Sequence, residues 1–385
     1  MTPARSRPRA RSFIEALWQP SLPLRWWPIW VALTPAAALY SYSLAMRERW
    51  WRRKSLQAGV PTISVGNLTV GGNGKTPFTL FLASLMRARG LRVAIVSRGW
   101  GRVIDRNKAL LVSDGTRCFK SPREAGDEPV MMAKSFRGPI AVARRRVDAI
   151  RLLREHGDFD AFILDDGFQH LRLRRDLDLI MINAERGFGN GWLLPAGPLR
   201  EPHAAIGRAD AIVLIDSGTS HGRKWDVADL ALPEHMPIFH ATLRPRVLVR
   251  ADGAEWRESP LVLDGRRVVA VSGLADATSF HAMLLEVGAT IFAALDFPDH
   301  HDYTPHDFEN LMDTARGADL IVTTEKDLVK LELFPAHDVS LYALRLEVAM
   351  DAGDEARLFD LVAARMRSRG PSESRHATSG SLNQG

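Results

Sequence analysis

Cysteine is nearly absent: Cys118 stands alone in 385 residues. A single thiol closes no internal disulfide, so nothing in the chain needs an oxidising compartment, and the reducing cytoplasm fits it best. Compositional bias is absent too. Hydrophobic residues make up 46% and charged residues 25%, near the globular average, which excludes a collagen-like or largely disordered chain. No internal repeat is visible, and no N-K-x-D motif of the kind that reads guanine occurs. The most telling gap is one of charge. Between Trp26 and Met46 there is no acid or base apart from the phenols Tyr40 and Tyr42.

As a helix that uncharged run is long enough to cross about 30 Å of hydrocarbon. Trp26, Trp27 and Trp30 would sit at one interface, Trp50 and Trp51 at the other. Arginines crowd both flanks, at Arg5, Arg7, Arg9 and Arg11 before it and at Arg47, Arg49, Arg52 and Arg53 with Lys54 after it. A formal net charge of +6 suits nucleic acid, an anionic membrane or a phosphorylated substrate; its distribution around an apolar segment selects the membrane. No nucleic-acid recognition module is evident, and nucleic acid is not an expected partner. A cleaved signal peptide is a competing reading, opposed by Pro28 and Pro35 within the run and by basic residues where a small-residue cleavage site would stand. Spanning and monotopic attachment both stay open, because the prolines with Ser41 and Ser43 weaken a straight helix. The basic cluster after the run favours a catalytic body on the cytoplasmic side.

What the chain does contain is a phosphate-binding loop. Residues 69–76 read Thr69-Val70-Gly71-Gly72-Asn73-Gly74-Lys75-Thr76, directly after the apolar run Val60 to Val65 and before a helix-like run from Phe78 to Met86. Glycines let backbone N–H groups turn inward around phosphate oxygens, Lys75 reaches the β/γ-phosphates, and the Thr76 hydroxyl ligates Mg²⁺. Thr69 occupies the first position of G-x-x-x-x-G-K-[ST], where glycine is usual, while the spacer and its Gly74-Lys75-Thr76 end are kept. A nucleoside triphosphate is the ligand this loop implies.

Apolar strand-like runs at Ile63 to Val65, Val93 to Val96, Phe162 to Leu164, Leu179 to Ile182 and Ala211 to Ile215 alternate with amphipathic stretches. This is the rhythm of a P-loop NTPase-type α/β fold, a parallel sheet with helices on both faces. The pattern breaks near Leu243-Arg244-Pro245-Arg246 and restarts with Val268 to Val271, a helical run from Ala275 to Val287 ending at Gly288, and Leu320 to Val322. The expected organisation is a basic N-terminus with a membrane-anchoring helix over 1–55 and a P-loop core over 56–240. A second, smaller α/β domain over 241–367 would close over the site, and a Ser/Gly-rich disordered tail would fill 368–385.

Acids and imidazoles gather at three places. Ala161-Phe162-Ile163-Leu164-Asp165-Asp166 is an apolar strand ending in two carboxylates, where a P-loop enzyme sets an acid for Mg²⁺; Gly167-Phe168-Gln169-His170 follows at once. Gly126-Asp127-Glu128-Pro129 reads as a turn from which Asp127 projects as a general base, with a solvated loop or helix cap as the plainer reading. Phe297-Pro298-Asp299-His300-His301-Asp302-Tyr303 packs two acids besides its imidazoles, yet adjacent histidines point apart and make a poor zinc chelate.

Together these segments, with Ser64-Val65-Gly66-Asn67-Leu68, Ser97-Arg98-Gly99-Trp100-Gly101-Arg102, Leu194 to Pro202 and Thr323-Thr324-Glu325-Lys326-Asp327, resemble the tetraacyldisaccharide 4′-kinase family over roughly residues 25–365. The family's usual loop is GGTGKTP, so Asn73 is a departure. The resemblance implies a kinase, using ATP and Mg²⁺, that phosphorylates the 4′-hydroxyl of a tetraacylated glucosamine disaccharide 1-phosphate to give the lipid A precursor lipid IVA. It further implies a monomer at the bacterial inner membrane. Asp127 is then the base and His300 the group that tunes it; Lys75 and the loop amides stabilise charge. Thr76 with Asp165 or Asp166 would hold the metal, with Glu201 as an additional ligand, and Arg98 and Arg102 would meet the substrate's existing phosphate. A rival from another class is a membrane-associated P-loop regulatory ATPase or GTPase, which needs neither GDEP nor FPDHHDY.

Overall fold

The computed structural model describes residues 17–19, 23–218, 224–250, 257–274, 277–335 and 340–368. The arginines at 5, 7, 9 and 11 and the tail beyond 368 lie outside the described residues. The N-terminal apolar run is one helix, α1 (Trp27–Arg52). The first half continues through β1 (Thr62–Gly66), α2 (Lys75–Ala88), β2 (Val93–Ser97), β3 (Leu110–Asp114), α3 (Pro122–Ala125), α4 (Asp127–Ser135), β4 (Pro139–Val142), α5 (Arg146–Glu155), β5 (Ala161–Asp165), β6 (Leu177–Asn183) and β7 (Ala211–Asp216). After these come β8 (Ile238–Arg250), β9 (Arg257–Glu258), β10 (Arg267–Ser272), α6 (Ala277–Glu286), β11 (Thr290–Asp296) and α7 (Pro305–Ala315). The chain closes with β12 (Leu320–Thr324), α8 (Glu325–Leu331), β13 (Leu341–Met350) and α9 (Ala352–Arg367).

The strands among the described residues join one 13-stranded sheet in the order β11-β10-β12-β13-β8-β7-β6-β1-β5-β2-β4-β3, with β9 beside β8. Pairing is parallel except at β3–β4, β8–β9 and β8–β13. Where the sequence breaks its rhythm near residue 243, the backbone stays extended: β8 pairs parallel with β7 through Ile238–Thr242 and antiparallel with β13 as far as Arg250. One long strand thus carries hydrogen bonding from one α/β half into the other, and neither half presents a bare edge there.

Central strands are apolar on both faces because both faces are covered. On β5, Ile163 packs with Phe78, Leu82 and Met86 of α2, while Phe162 and Leu164 pack with Ile150 and Leu153 of α5 on the opposite face. The second half repeats this arrangement, with Val268 and Ala270 against Phe280 and Leu284 of α6, and Val269 and Val271 against Leu311 of α7 and Leu328 of α8. Register then sets the site. Val65, at the end of β1, lies beside Asp165, at the end of β5, so the phosphate loop and the twin acids leave the sheet side by side.

Helix α1 is long and apolar enough to cross a membrane by length and composition. One of its faces is nevertheless committed to protein. Thr34, Ala37 and Ser41 line a cavity of about 390 Å³ with Trp192, Leu193, Leu199 and His203, and Trp30 meets Trp192 edge-on at 4.7 Å. Further along, Arg47 donates to Glu201 at 2.9 Å, Arg208 reaches Glu48 at 3.5 Å, and Tyr40 Oη donates to the Arg200 carbonyl at 2.9 Å. Residues 30, 34, 37, 41, 44 and 48 recur at helical spacing, so they form a single stripe. Val31, Leu39, Tyr42, Met46 and Trp50 point elsewhere and are 50–70% exposed.

Leu248, fully buried on β8 with Leu344 of β13 in its core cluster, tests the joint between the halves. Leu248→Ala should lower unfolding stability by about 2–5 kcal/mol, read as a drop in urea midpoint.

Candidate active site

Helix α2 begins at Lys75 because Gly74 is left-handed at φ +66° and turns the chain out of the loop; a Cβ there would lie 2.6 Å from Ile215 Cδ1. The Lys75 ammonium donates to Asn67 Oδ1 at 3.1 Å and lies 3.4 Å from Asp166. Asn67 is itself fixed, its amide donating to the Thr69 carbonyl at 2.6 Å and its carbonyl accepting from Gln169 Nε2 at 2.7 Å. The loop's two departures from pattern are partners: buried Asn73 Nδ2 donates to Thr69 Oγ1 at 2.9 Å.

The adjacent acids live in opposite surroundings. Asp166, held in the left-handed region at φ +50°, faces cations: Arg200 Nη1 reaches both its oxygens at 3.1 Å, with Lys75 on the other side. Burial alone would raise its carboxyl, but Lys75, Arg200 and Arg146 hold it down to about 2. Asp165 is fully buried and accepts from Thr79 Oγ1 at 3.2 Å. Burial, with Glu128 and Asp166 as anionic neighbours, pushes it up to about 7 despite Lys75. Behind them Arg146 is driven down to about 10 by burial. His170 is pushed down to about 3 by burial and by Arg146, Arg175, Arg172 and Arg98, so it is neutral at physiological pH.

Gly126-Asp127-Glu128-Pro129 is a helix start, which corrects the turn expected from the sequence. Asp127 is the first residue of α4, and Pro129 fits inside the first turn, where its missing N–H has no helical acceptor to lose. Gly126 at φ +96° makes the corner, its α-carbon packed so closely that a Cβ would sit 2.3 Å from the Trp100 carbonyl oxygen. Two groups from the far half of the chain converge on Asp127: His300 Nδ1 at 3.2 Å and Lys330 Nζ at 3.2 Å. Burial raises the Asp127 carboxyl, yet His300 and Lys330 outweigh it and leave the group below the ordinary carboxylate range; the α4 N-terminus adds in the same direction. His300 Nε2 lies 3.2 Å from the Lys326 ammonium, which can only donate. Its partners therefore assign the proton to Nδ1, donating to Asp127.

The residues singled out in the sequence thus fall into two groups. The phosphate loop meets Asp165 and Asp166, and Asp127 meets His300. Glu201 takes different company: both its carboxylate oxygens are engaged by guanidinium groups, of Arg47 and Arg208, on the side facing α1. Arg102 is turned into its own loop, donating to the carbonyls of Arg106 and Lys108, while Arg98 is exposed with its guanidinium 5.2 Å from the Trp100 ring centroid. Among the described residues no cluster of three or more His, Cys, Asp or Glu could hold a metal. Sequence reasoning passed over Lys330, Arg146 and the side-chain role of Arg200. Lys330 lies four residues after Lys326 on one face of α8, a spacing that was available as a signal.

An Asp127→Asn change leaves buried Lys330 without its nearer carboxylate, with Asp327 at 3.8 Å remaining, and should cost about 1–3 kcal/mol at neutral pH. Because the folded carboxyl lies below its unfolded value, this contribution is present above the unfolded pKa and disappears as pH falls through the folded one. The melting difference between wild type and Asp127→Asn should therefore shrink on acidification.

Comparison with known proteins follows the same lines. The sequence profile described as Tetraacyldisaccharide-1-P 4'-kinase matches residues 29–367. A tetraacyldisaccharide 4'-kinase of Geobacter metallireducens is 42% identical over 319 residues, covering 80% of this chain and 91% of its own length. One from Desulfatibacillum aliphaticivorans is 36% identical over 341 residues, covering 85% and 90%. A crystal structure of an "apo" form of LpxK from Aquifex aeolicus in complex with ATP superposes with a TM-score of 0.71 at 33% identity, covering 88% of this chain and 99% of that one. A phosphate loop beside twin acids, a paired Asp127 and this breadth of likeness lead to one assignment: the chain belongs to the tetraacyldisaccharide-1-P 4'-kinase family.

Proposed function

We propose that the chain transfers the γ-phosphoryl of ATP to the 4′-hydroxyl of a tetraacylated glucosamine disaccharide 1-phosphate, producing lipid IVA for lipid A biosynthesis. The observation that carries this reading is the pairing of a phosphate loop with a buried, ionised Asp127 in a member of this kinase family. A regulatory ATPase or GTPase of the switch type is not favoured, since it has no use for an acceptor-side base.

Phosphoryl transfer depends on alignment and charge neutralisation more than on covalent help. Lys75 and the amides of Thr69 to Thr76 would hold the β/γ-phosphates; on nucleotide binding Lys75 exchanges its contact with Asp166 for phosphate oxygens. Asp127 would accept the proton of the attacking 4′-hydroxyl, and His300 with Lys330 keeps it ionised and oriented until then. The donors Thr76, Asp165 and Asp166 are all oxygen, and the anion-rich setting of Asp165 suits a hard divalent cation. Mg²⁺ is usually held by one or two carboxylates plus phosphates and water, which is the kind of set these residues offer. Thr76 with Asp165 or Asp166 would hold the ion, whose chemistry there would be neutralisation of the charge that develops on the transferred phosphoryl. Glu201, tied to two arginines, is left out of this set.

Residues 56–240 would bind the nucleotide and 241–367 would bring His300 and Lys330 to the acceptor side, closing over the site about β8. Residues 1–55 attach the enzyme to the cytoplasmic face of the inner membrane, where its four-chain substrate resides, and the working unit is a monomer.

The test is incubation with γ-labelled ATP, Mg²⁺ and the tetraacyl disaccharide 1-phosphate in mixed micelles. Label should appear in a bis-phosphorylated lipid. Asp127→Ala should lower kcat by about 10²–10⁴ with ATP affinity little changed; equal loss of both would remove the base role. Lys330→Met withdraws a cation that lowers the Asp127 pKa, so the acid limb of its kcat–pH profile should move to higher pH.

A further inference from the structure

The loop after β2 displays an apolar tip that the reaction derived above does not use. Trp100, Val103 and Ile104 are 59%, 55% and 51% exposed, on a backbone that is firmly held. The N–H groups of Val103 and Ile104 donate to the Arg123 carbonyl at 2.8 and 3.3 Å, and buried Arg102 ties the loop's return strand as described. The apolar side chains are thus presented by design of the loop, not by fraying. Cations surround them. From Arg98 to Arg123 the sequence holds seven basic residues against Asp105 and Asp114, and Arg98, Arg106, Lys108, Arg117 and Arg123 are exposed. An apolar tip ringed by positive charge matches the headgroup region of an anionic bilayer, which satisfies both features at once.

Topology places the tip where a bilayer can reach it. Strands β1, β2, β5 and β6 run parallel, so the loops that follow them emerge at one edge of the sheet. Helix α1 docks on loops of that same edge, through Leu171 after β5 and through Trp192, Glu201 and Pro202 after β6. The tip is also joined to the chemistry. Glycines at 99 and 126 let the two segments clasp, a Cβ on Gly99 coming 2.7 Å from the Ala125 carbonyl oxygen, and Asp127 is the next residue along.

We propose that Trp100, Val103 and Ile104 form a second lipid contact, inserted into an anionic phospholipid surface, which holds the Gly126–Asp127 corner at the level of the bilayer where the acceptor hydroxyl lies. This rests on the membrane attachment of α1 proposed above. The test uses the full chain with Cys118→Ser, carrying an environment-sensitive fluorophore on either Val103→Cys or Leu39→Cys, mixed with vesicles of phosphatidylglycerol and phosphatidylethanolamine without substrate. Both labels should shift to the blue and be quenched by nitroxide-bearing lipid, and Val103→Ser with Ile104→Ser should weaken vesicle partitioning about tenfold. A responding Leu39 label with a silent Val103 label overturns the second contact alone. Silence of both overturns the attachment of α1 and this proposal with it. A Val103 label that responds only after the disaccharide lipid is added makes the tip a substrate contact and also overturns the proposal.

Discussion

A carboxylate that is to take up a proton must be ionised where water is scarce, and the arrangement around Asp127 answers that demand. Burial favours the neutral acid; an imidazole N–H and an ammonium reverse the balance. Both come from positions 173 and 203 residues further along the chain. The half that holds the phosphate loop therefore cannot keep Asp127 ionised by itself. This gives the joint of β8 with β13 its significance, because a continuous ladder across the two halves fixes the distance over which His300 and Lys330 must reach.

The nucleotide side solves the opposite problem with neighbouring residues. Asp165 and Asp166 are consecutive, yet one is surrounded by anions and the other by guanidinium and ammonium groups. The left-handed turn at Asp166 makes the separation, swinging its side chain toward Arg200 and Lys75 while Asp165 stays in the strand. Backbone strain of this kind persists where surrounding contacts over-determine it, and here the contacts include a bidentate arginine. A carboxyl pushed up by burial and anionic neighbours and one held down by cations thus stand one residue apart.

Much of this was legible in the sequence because it is local. The glycine-lysine-threonine end of the phosphate loop, the apolar strand ending in Asp165-Asp166 and the uncharged N-terminal run each signal through adjacent residues. The contact of Asp127 with His300 was reached only through family resemblance, since no spacing rule joins residues so far apart. Arg146 escaped for the same reason, whereas Lys330 had a local signal in its spacing from Lys326 but none that pointed to Asp127. Pro129 misled: a proline that forbids helix before it is welcome in a helix's first turn, so GDEP reads equally as a stop or a start. Glu201 looked like a spare acid near a phosphate site until packing supplied Arg47 from α1, a helix whose docking the sequence does not reveal. The polar stretch near residue 243 read as turn-rich, whereas the antiparallel partner β13, a hundred residues on, keeps it extended in the sheet.

The docked stripe of α1 changes what it means to remove the helix. Tyr40 holds the carbonyl of Arg200, whose side chain clamps Asp166, which in turn touches Lys75. Arg47 likewise neutralises a buried carboxylate in the catalytic body. A shortened chain without α1 would be easier to handle in water, but it would open an apolar groove and leave buried Glu201 with Arg208 as its remaining guanidinium partner. The helix is less a mooring line than a structural wall of the enzyme, joined through Tyr40 and Arg200 to the acid that meets the phosphate loop.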